Sequence, residues 1–204
     1  MLLDHVAIAG ETLPEAVACV EDALGVSLQA GGQHDVFHTH NALLGLEDGV
    51  YLEAIAINPD APDPQRPRWF DLDRFAGPAR LTNWICQTDD ITASLADLPA
   101  SMGAPVALQR GDLRWRMAVP DSGILPFDGC APALIQWDTP IHPANLLARS
   151  GVRLRRITVR HPQCEALWHM LASHLTDDRV AFETGRVGMS TVFDTPHGPR
   201  ELTG

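Results

Sequence analysis

No lysine occurs anywhere in the 204 residues, so all 15 basic residues are arginine. That excludes Schiff-base chemistry through a lysine amine and a P-loop lysine on a phosphate. Long hydrophobic runs are missing too, since none approaches the roughly 20 apolar residues that cross a bilayer. The first residues lack the basic, apolar, small-residue order of a secretory signal, and a cytoplasmic location is the expectation. Cysteine is scarce and unpatterned: Cys19, Cys86, Cys130 and Cys164 form no C-x-x-C pair and read as free, buried thiols. Nothing in the sequence polarises any of them into a nucleophile. "DSG" at 121 to 123 is not a nucleophile elbow, there is no H-E-x-x-H, and no G-x-G-x-x-G follows a strand. A nucleotide cofactor is therefore not expected. The formal charge of −11 argues against partners such as nucleic acid or an anionic membrane. The one basic run, "RLRRITVR" at 153 to 160, alternates like a strand and reads as a solvated sheet edge.

What is present is enough apolar residue, 45%, to bury a core in one generous domain or two small ones. "LLDHVAIAG" opens the chain as a strand, and "ETLPEAVACVEDALGV" follows with helical spacing that Gly25 is placed to end. "DVFHTHNALLGL" and "VYLEAIAI" are further strands, separated by the turn "EDG". Residues 61 to 79, dense in proline and charge, read as a connector in which "WFDLDRF" packs its aromatics back onto the core. The order then restarts, with strand "RLTNWICQT", helix "DDITASLADLPASMG" opened by an Asp cap, and strands "PVALQR", "RWRMAVP" and "ALIQWD". A shorter third pass begins at "VRLRRITVR". The expected fold is α+β: a βαβββ module over 1 to 60, a second over 80 to 140, and a partial βαββ repeat over 141 to 204 packed on the same domain.

Laying "LDHVAI" over "LTNWIC" puts Asn83 where His5 stands, and laying "YLEAI" over "LIQWD" puts Gln136 where Glu53 stands. Side chains two apart in a strand share a face. His5 should then share its face with Leu3, Ala7 and Ala9, Glu53 with Tyr51 and Ile55, Asn83 with Leu81 and Ile85, and Gln136 with Leu134. Each polar group falls on an otherwise apolar face. A carboxylate buried there needs a cation or strong donors, and a histidine can supply a hydrogen bond or a metal ligand.

Two βαβββ copies with a histidine on the first strand and a glutamate on the last resemble the vicinal oxygen chelate superfamily, which includes glyoxalase I, extradiol dioxygenases and bleomycin-resistance proteins. "LDHVAIAG", "GGQHDVFHTHNALLGL", "YLEAIAI", "ILPF" and "LIQWDTPIHP" resemble, more narrowly, the glyoxalase-like domain proteins. The resemblance implies paired modules curled into a half-open barrel, often a homodimer, and a divalent metal such as zinc, nickel, manganese or iron held by the first and last strands. By position the metal ligands would be His5 and Glu53, with Asn83 and Gln136 from the second half. That second half departs from the enzyme pattern, because amide oxygens are poor donors to a transition metal. Two His and one carboxylate, as a dioxygenase needs, are not available.

Other side chains are candidates for binding a ligand. His34 and Asn41 fall in the recurring part of the family's motif and are expected at the pocket. His38 and His40 share a strand face and read as a strand end or pocket rim. Arg114 and Arg116 share a face opposite Trp115, and Arg116 is the candidate for a bidentate bond to a substrate carboxylate. Trp84 and Trp137 are expected beneath the helices, and His142 in a loop. Two functions follow. In one, a small carbonyl or hydroxy-carbonyl compound binds in the cleft for lyase or isomerase chemistry with Glu53 as catalytic base, assisted by metal. In the other, the cleft is a metal-free small-molecule binding site of the bleomycin-resistance type, in which His5, Glu53, Asn83 and Gln136 hydrogen-bond the ligand. Fold alone does not choose between them.

Overall fold

A computed structural model describes residues 1–204. Twelve strands form two sheets. The first module runs β1 (Leu2–Ala9), α1 (Leu13–Leu24), β2 (Gln29–His34), β3 (Thr39–Gly45) and β4 (Tyr51–Ile57). The second runs β5 (Arg80–Gln87), α2 (Ile91–Ala96), β6 (Ala104–Arg110), β7 (Leu113–Val119) and β8 (Ala133–Trp137). Together they make one curled sheet of order β2-β3-β4-β1-β5-β8-β7-β6. Its two halves mirror each other across the antiparallel β1/β5 pair, with β1 parallel to β4 and β5 parallel to β8. This is the half-barrel that paired βαβββ modules predict.

Local chemistry explains the helix that starts each module. Thr12 and Glu15 form a reciprocal capping box, Pro14 takes an early helical position, and Gly25 closes α1 at φ 71°. Asp90 caps α2 through Ala93 N. α2 is short, and the end of its expected span is a separate 3₁₀ turn at Ala100–Met102.

The C-terminal unit has the expected strand, helix, strand, strand order, with one strand more and a different arrangement in its sheet. It runs β9 (Arg153–His161), α3 (Cys164–Leu171), β10 (Val180–Thr184), β11 (Gly188–Thr195) and β12 (Gly198–Thr203). Its sheet order is β10-β9-β11-β12, with the first strand inside, whereas each module has its first strand beside its last. "RLRRITVR" is therefore an interior strand and not an edge. Its arginines are tolerated because they turn outward onto acids: Arg153 pairs with Asp48, Arg155 with Asp194 and Arg160 with Glu183.

Two large cores hold most of the buried apolar residues, and Ala16, Ala42 and Ala54 form a small third cluster. One lies on the outer face of the large sheet, where Val6, Ile8, Leu52, Trp84 and Leu134 meet α1 and, from the C-terminal unit, Leu154, Ile157 and Phe193. Trp84 packs there as expected, donating its Nε1 to Cys130 O at 2.9 Å. The other fills the curl, where Ala7, Ile55, Ile85, Trp115 and Ile135 meet Trp69, Phe70 and Leu72 of the connector. The connector thus plugs the half-barrel with aromatics. Phe70 and Asp71 do so at positive φ (59° and 57°), a conformation that L-residues adopt only at a cost. No helix is long and apolar enough to cross a membrane.

Candidate functional site

His5 points into the curl because of an irregularity in β1. Pairing to β5 jumps from Leu3↔Cys86 to His5↔Ile85, leaving Asp4 as a bulged residue. The bulge reverses alternation, so Leu3 joins the outer core with Val6 and Ile8, while His5 stays inside with Ala7 and Ala9. The expectation that Leu3 shares the His5 face fails for that reason. Glu53 and Tyr51 arrive from the adjacent parallel strand, and the Tyr51 ring stacks on His5 at 4.3 Å. His5 Nε2 lies 3.6 Å from Glu53 Oε2, so the two predicted partners converge.

Asp4 is what holds the imidazole. Its Oδ1 meets His5 Nδ1 at 2.6 Å, while its Oδ2 accepts from Trp137 Nε1 at 2.8 Å and meets His142 Nε2 at 2.9 Å. Asp4 is completely buried, and burial alone would raise its pKa. The hydrogen bonds from His142 and His5 outweigh that and hold the carboxyl well below its usual range. Burial pulls the His5 imidazole the other way, towards neutrality, but Asp4 and Glu53 together push its pKa up to about 9. Glu53 is also lowered on balance, because His5 and Asn41 overcome its burial. Near neutrality the centre is a carboxylate, an imidazolium and a second carboxylate. At 3.6 Å the His5 Nε2–H is in ion-pair contact with Glu53 but beyond hydrogen-bond distance.

The other wall is organised by Asn41. Its Nδ2 donates to Glu53 Oε1 at 2.6 Å and faces His34 Nε2 at 3.4 Å. Its Oδ1 accepts from Gly32 N at 2.8 Å and Arg110 Nη1 at 3.2 Å. Four partners fix the carboxamide's orientation and, through it, the tautomer of His34. His34 Nε2 is the acceptor, and Nδ1 donates to Thr39 Oγ1 at 2.9 Å. Burial pushes His34 down to about 4, so it is neutral. Gly31 permits this packing, since a Cβ there would collide with Asn41 Oδ1.

The cleft over these groups is walled by Trp69, Phe70, Trp115, Met117, Ile135 and Trp137 and holds about 20 Å³ of free space. That is room for one water molecule. Trp69 stacks between Phe37 and Phe70, and its Nε1 is buried without a hydrogen-bond partner.

The profile described as "Glyoxalase-like domain" matches residues 3–175. The chain belongs to the glyoxalase-like domain family. With it the chain belongs to the vicinal oxygen chelate superfamily. A hypothetical protein from Staphylococcus aureus aligns over 91% of this chain and 86% of its own at TM-score 0.62 and 15% identity, a likeness of fold. The methylmalonyl-CoA epimerase from Mycobacterium tuberculosis aligns over 70% of this chain and 91% of its own, at TM-score 0.43 and 20% identity. A complex of the Streptomyces coelicolor methylmalonyl-CoA epimerase with 2-nitronate-propionyl-CoA aligns over 67% and 97%, at 0.42 and 18%. No curated protein matches the chain.

Against the family's metal-binding pattern, the second half of the glyoxalase-like chain supplies nothing. Ala7 pairs with Glu53 and Asn83 pairs with Ala7, while Ile85 pairs with both His5 and Ala133. By this register Asn83 is indeed the counterpart of His5, but the counterpart of Glu53 is Ala133. The expected match to Gln136 is off by three residues, an odd number that also reverses the face. Gln136 accordingly lies outside the curl and accepts from Ile91 N at 2.9 Å, at the start of α2. Trp137 takes the inner position instead of packing under a helix. Arg116, paired with Gln136 across β7 and β8, is likewise outside and forms a bidentate pair with Asp138. Asn83 lines a different cavity from His5. His38 sits in the β2–β3 turn at φ 51°, facing Pro62 O, so it does not share a strand face with His40.

His5 and Glu53 are thus joined by no third His, Cys, Asp or Glu in metal-binding geometry. His34 Nε2 is turned onto Asn41, and the facing wall is tryptophan, methionine and isoleucine. Zinc and its neighbours need three or four protein donors. The donor set does not fit the divalent metal that the resemblance implied. Sequence reading missed Asp4, Arg110, Trp69 and His142 as members of the site. "DH" at 4 and 5 was a usable signal for the Asp4–His5 pair; nothing local marked the others.

Proposed function

We propose that the cleft binds a small carbonyl or hydroxy-carbonyl compound without a metal and that Glu53 and His5 act on it as base and acid. The observation that carries this is His5 buried between Asp4 and Glu53, its Nε2 3.6 Å from Glu53 Oε2 and given to no hydrogen bond. The imidazolium supplies the positive charge beside Glu53, and it carries a transferable proton. Trp69 adds a second unused N–H at the cleft. Two unpaired donors beside a carboxylate suit a compound with adjacent oxygens.

In the reaction Glu53 takes a proton from the carbon next to the carbonyl, and the C–H electron pair becomes the carbon–carbon double bond of an enediol. The carbonyl π pair moves to its oxygen, which takes the Nε2 proton of His5. The two transfers support each other, since a neutral His5 no longer holds down the pKa of Glu53. Glu53 then returns its proton to the neighbouring carbon while the hydroxyl on the first carbon gives its proton to His5 Nε2 and becomes the new carbonyl, which completes an isomerisation and restores both residues. Entry of a substrate displaces Trp69 or Phe70, because the closed cleft admits little more than water. That tightness also favours a second reading, a binding protein that holds its ligand without turnover.

Dihydroxyacetone in D₂O tests the proposal. Carbon-bound deuterium is expected with the wild-type protein, unaffected by a chelator and lost in Glu53→Gln and His5→Gln. Binding without exchange would select the second reading. A stoichiometric divalent metal, lost in both variants and required for exchange, would overturn both.

A further inference from the structure

A second cavity, of about 350 Å³, opens beside Asn83, the residue that the β1/β5 register makes the counterpart of His5. This volume is in the range of small-molecule sites, and far exceeds the 20 Å³ around His5. The connector, β5, the loop between β7 and β8 and the C-terminal unit line it, with Leu81, Leu125, Val187 and Met189 among its apolar residues.

Two polar residues that line it are incompletely paired within the protein. Asn83, only 3% exposed, has its Oδ1 buried with no hydrogen-bond partner. Such an acceptor is costly to bury and is rarely left unsatisfied. Arg80 also lines the cavity. Its guanidinium lies 4.2 Å over the Phe75 ring and donates to Ala76 O and Pro78 O, but it meets no carboxylate. The other charges are spoken for: Arg74 is bound bidentately by Asp71, and Asp128 meets His161 Nε2 at 3.1 Å. Arg80 and Asn83 pair with Ala9 and Ala7 across β1, with Thr82 bulged between them, a spacing of roughly 7 Å along the strand.

We propose that this cavity is a second binding site, which takes a small carboxylic acid with an apolar body and an O–H or N–H group at its far end. The carboxylate meets Arg80, the donor meets Asn83 Oδ1 once the carboxamide turns its oxygen towards the cavity, and the body fills the apolar wall between them. The site is independent of the chemistry proposed at His5 and Glu53. Phe70 walls both cavities, so the two are neighbours without sharing a polar group.

Calorimetry with 4-hydroxyphenylacetate, phenylacetate and 4-hydroxyphenylacetamide tests this. The wild type should bind the first with a Kd of about 1 mM or tighter, and each of the others about tenfold more weakly. Asn83→Leu should bind 4-hydroxyphenylacetate and phenylacetate alike, and Arg80→Gln should no longer prefer the acid over the amide. Should Asn83→Leu not fold, Asn83→Ser carries the same comparison. His5→Gln and Glu53→Gln should leave all three affinities unchanged, which separates this site from the cleft. No binding at about 10 mM, equal affinity of the wild type for the three probes, or loss of binding in His5→Gln would overturn the proposal.

Discussion

Replacing His5 by glutamine should remove a pH dependence of stability that the wild type shows between pH 6.5 and 9. In the folded protein His5 keeps its proton to about pH 9, whereas in the unfolded chain it releases it near 6.5. The folded state therefore binds the extra proton in this window. Its stabilisation is complete below pH 6.5 and fades as the pH rises through 9. At about 1.4 kcal/mol per pH unit of difference, the contribution lost is roughly 3 kcal/mol. His34 does not confuse the result, because its pKa is pushed down to about 4. Its effect has the opposite sign and falls below the window, costing stability as the pH drops from 6.5 towards 4. Buried thiols such as Cys86, whose pKa is raised by burial, also favour unfolding near pH 9. They do so equally in wild type and variant. Urea unfolding of both proteins at pH 6.5 and 9 isolates His5: the wild type should lose about 3 kcal/mol more than His5→Gln. Equal losses would refute the imidazolium between Asp4 and Glu53, and with it the acid proposed for the cleft.

Asn83→Leu should raise stability by about 1–3 kcal/mol, since it removes a buried acceptor that has no partner; a lower urea midpoint would show that Asn83 is satisfied in solution. Gly31→Ala should destabilise by about 1–3 kcal/mol and displace Asn41, which NMR would detect as a changed His34 titration. Trp84→Phe should cost about 1–3 kcal/mol in chemical denaturation, because Cys130 O is left buried without its donor.

The module order was legible because its signals are local: a capping box, a glycine stop and alternating strands. His5 and Glu53 were legible for the same reason, each a polar residue at a regular place on an apolar face. The second-module alignment failed where local signals end. Nothing in "ALIQWD" distinguishes a register of Ala133 from one of Gln136, and three residues decide whether Gln136 or Trp137 faces the cleft. The Asp4 bulge is equally invisible, since only pairing to β5 reveals an extra residue. Arg110 ends a hairpin strand, and only the close approach of β2 and β6 brings it to Asn41, which lies 69 positions away in the chain. The interior place of β9 was hidden because its arginines look like edge protection until their acidic partners are in view.

The unequal modules also show how the second half serves the first. Where the family pattern would have it hold a metal, this chain sends Trp137 Nε1 to Asp4, and His142, just beyond β8, adds a second contact to the same oxygen. Asp4 in turn fixes His5 Nδ1 and leaves Nε2–H directed at Glu53. Without those partners a fully buried carboxylate would be poorly compensated, a defect that costs about 3–5 kcal/mol when one partner of a buried pair is removed. Asp4 would then relieve the strain by taking up a proton, and His5 would lose the charge that keeps its own. The proton at the cleft thus depends on residues behind it, contributed by the half of the protein that supplies no carboxylate or imidazole to the front.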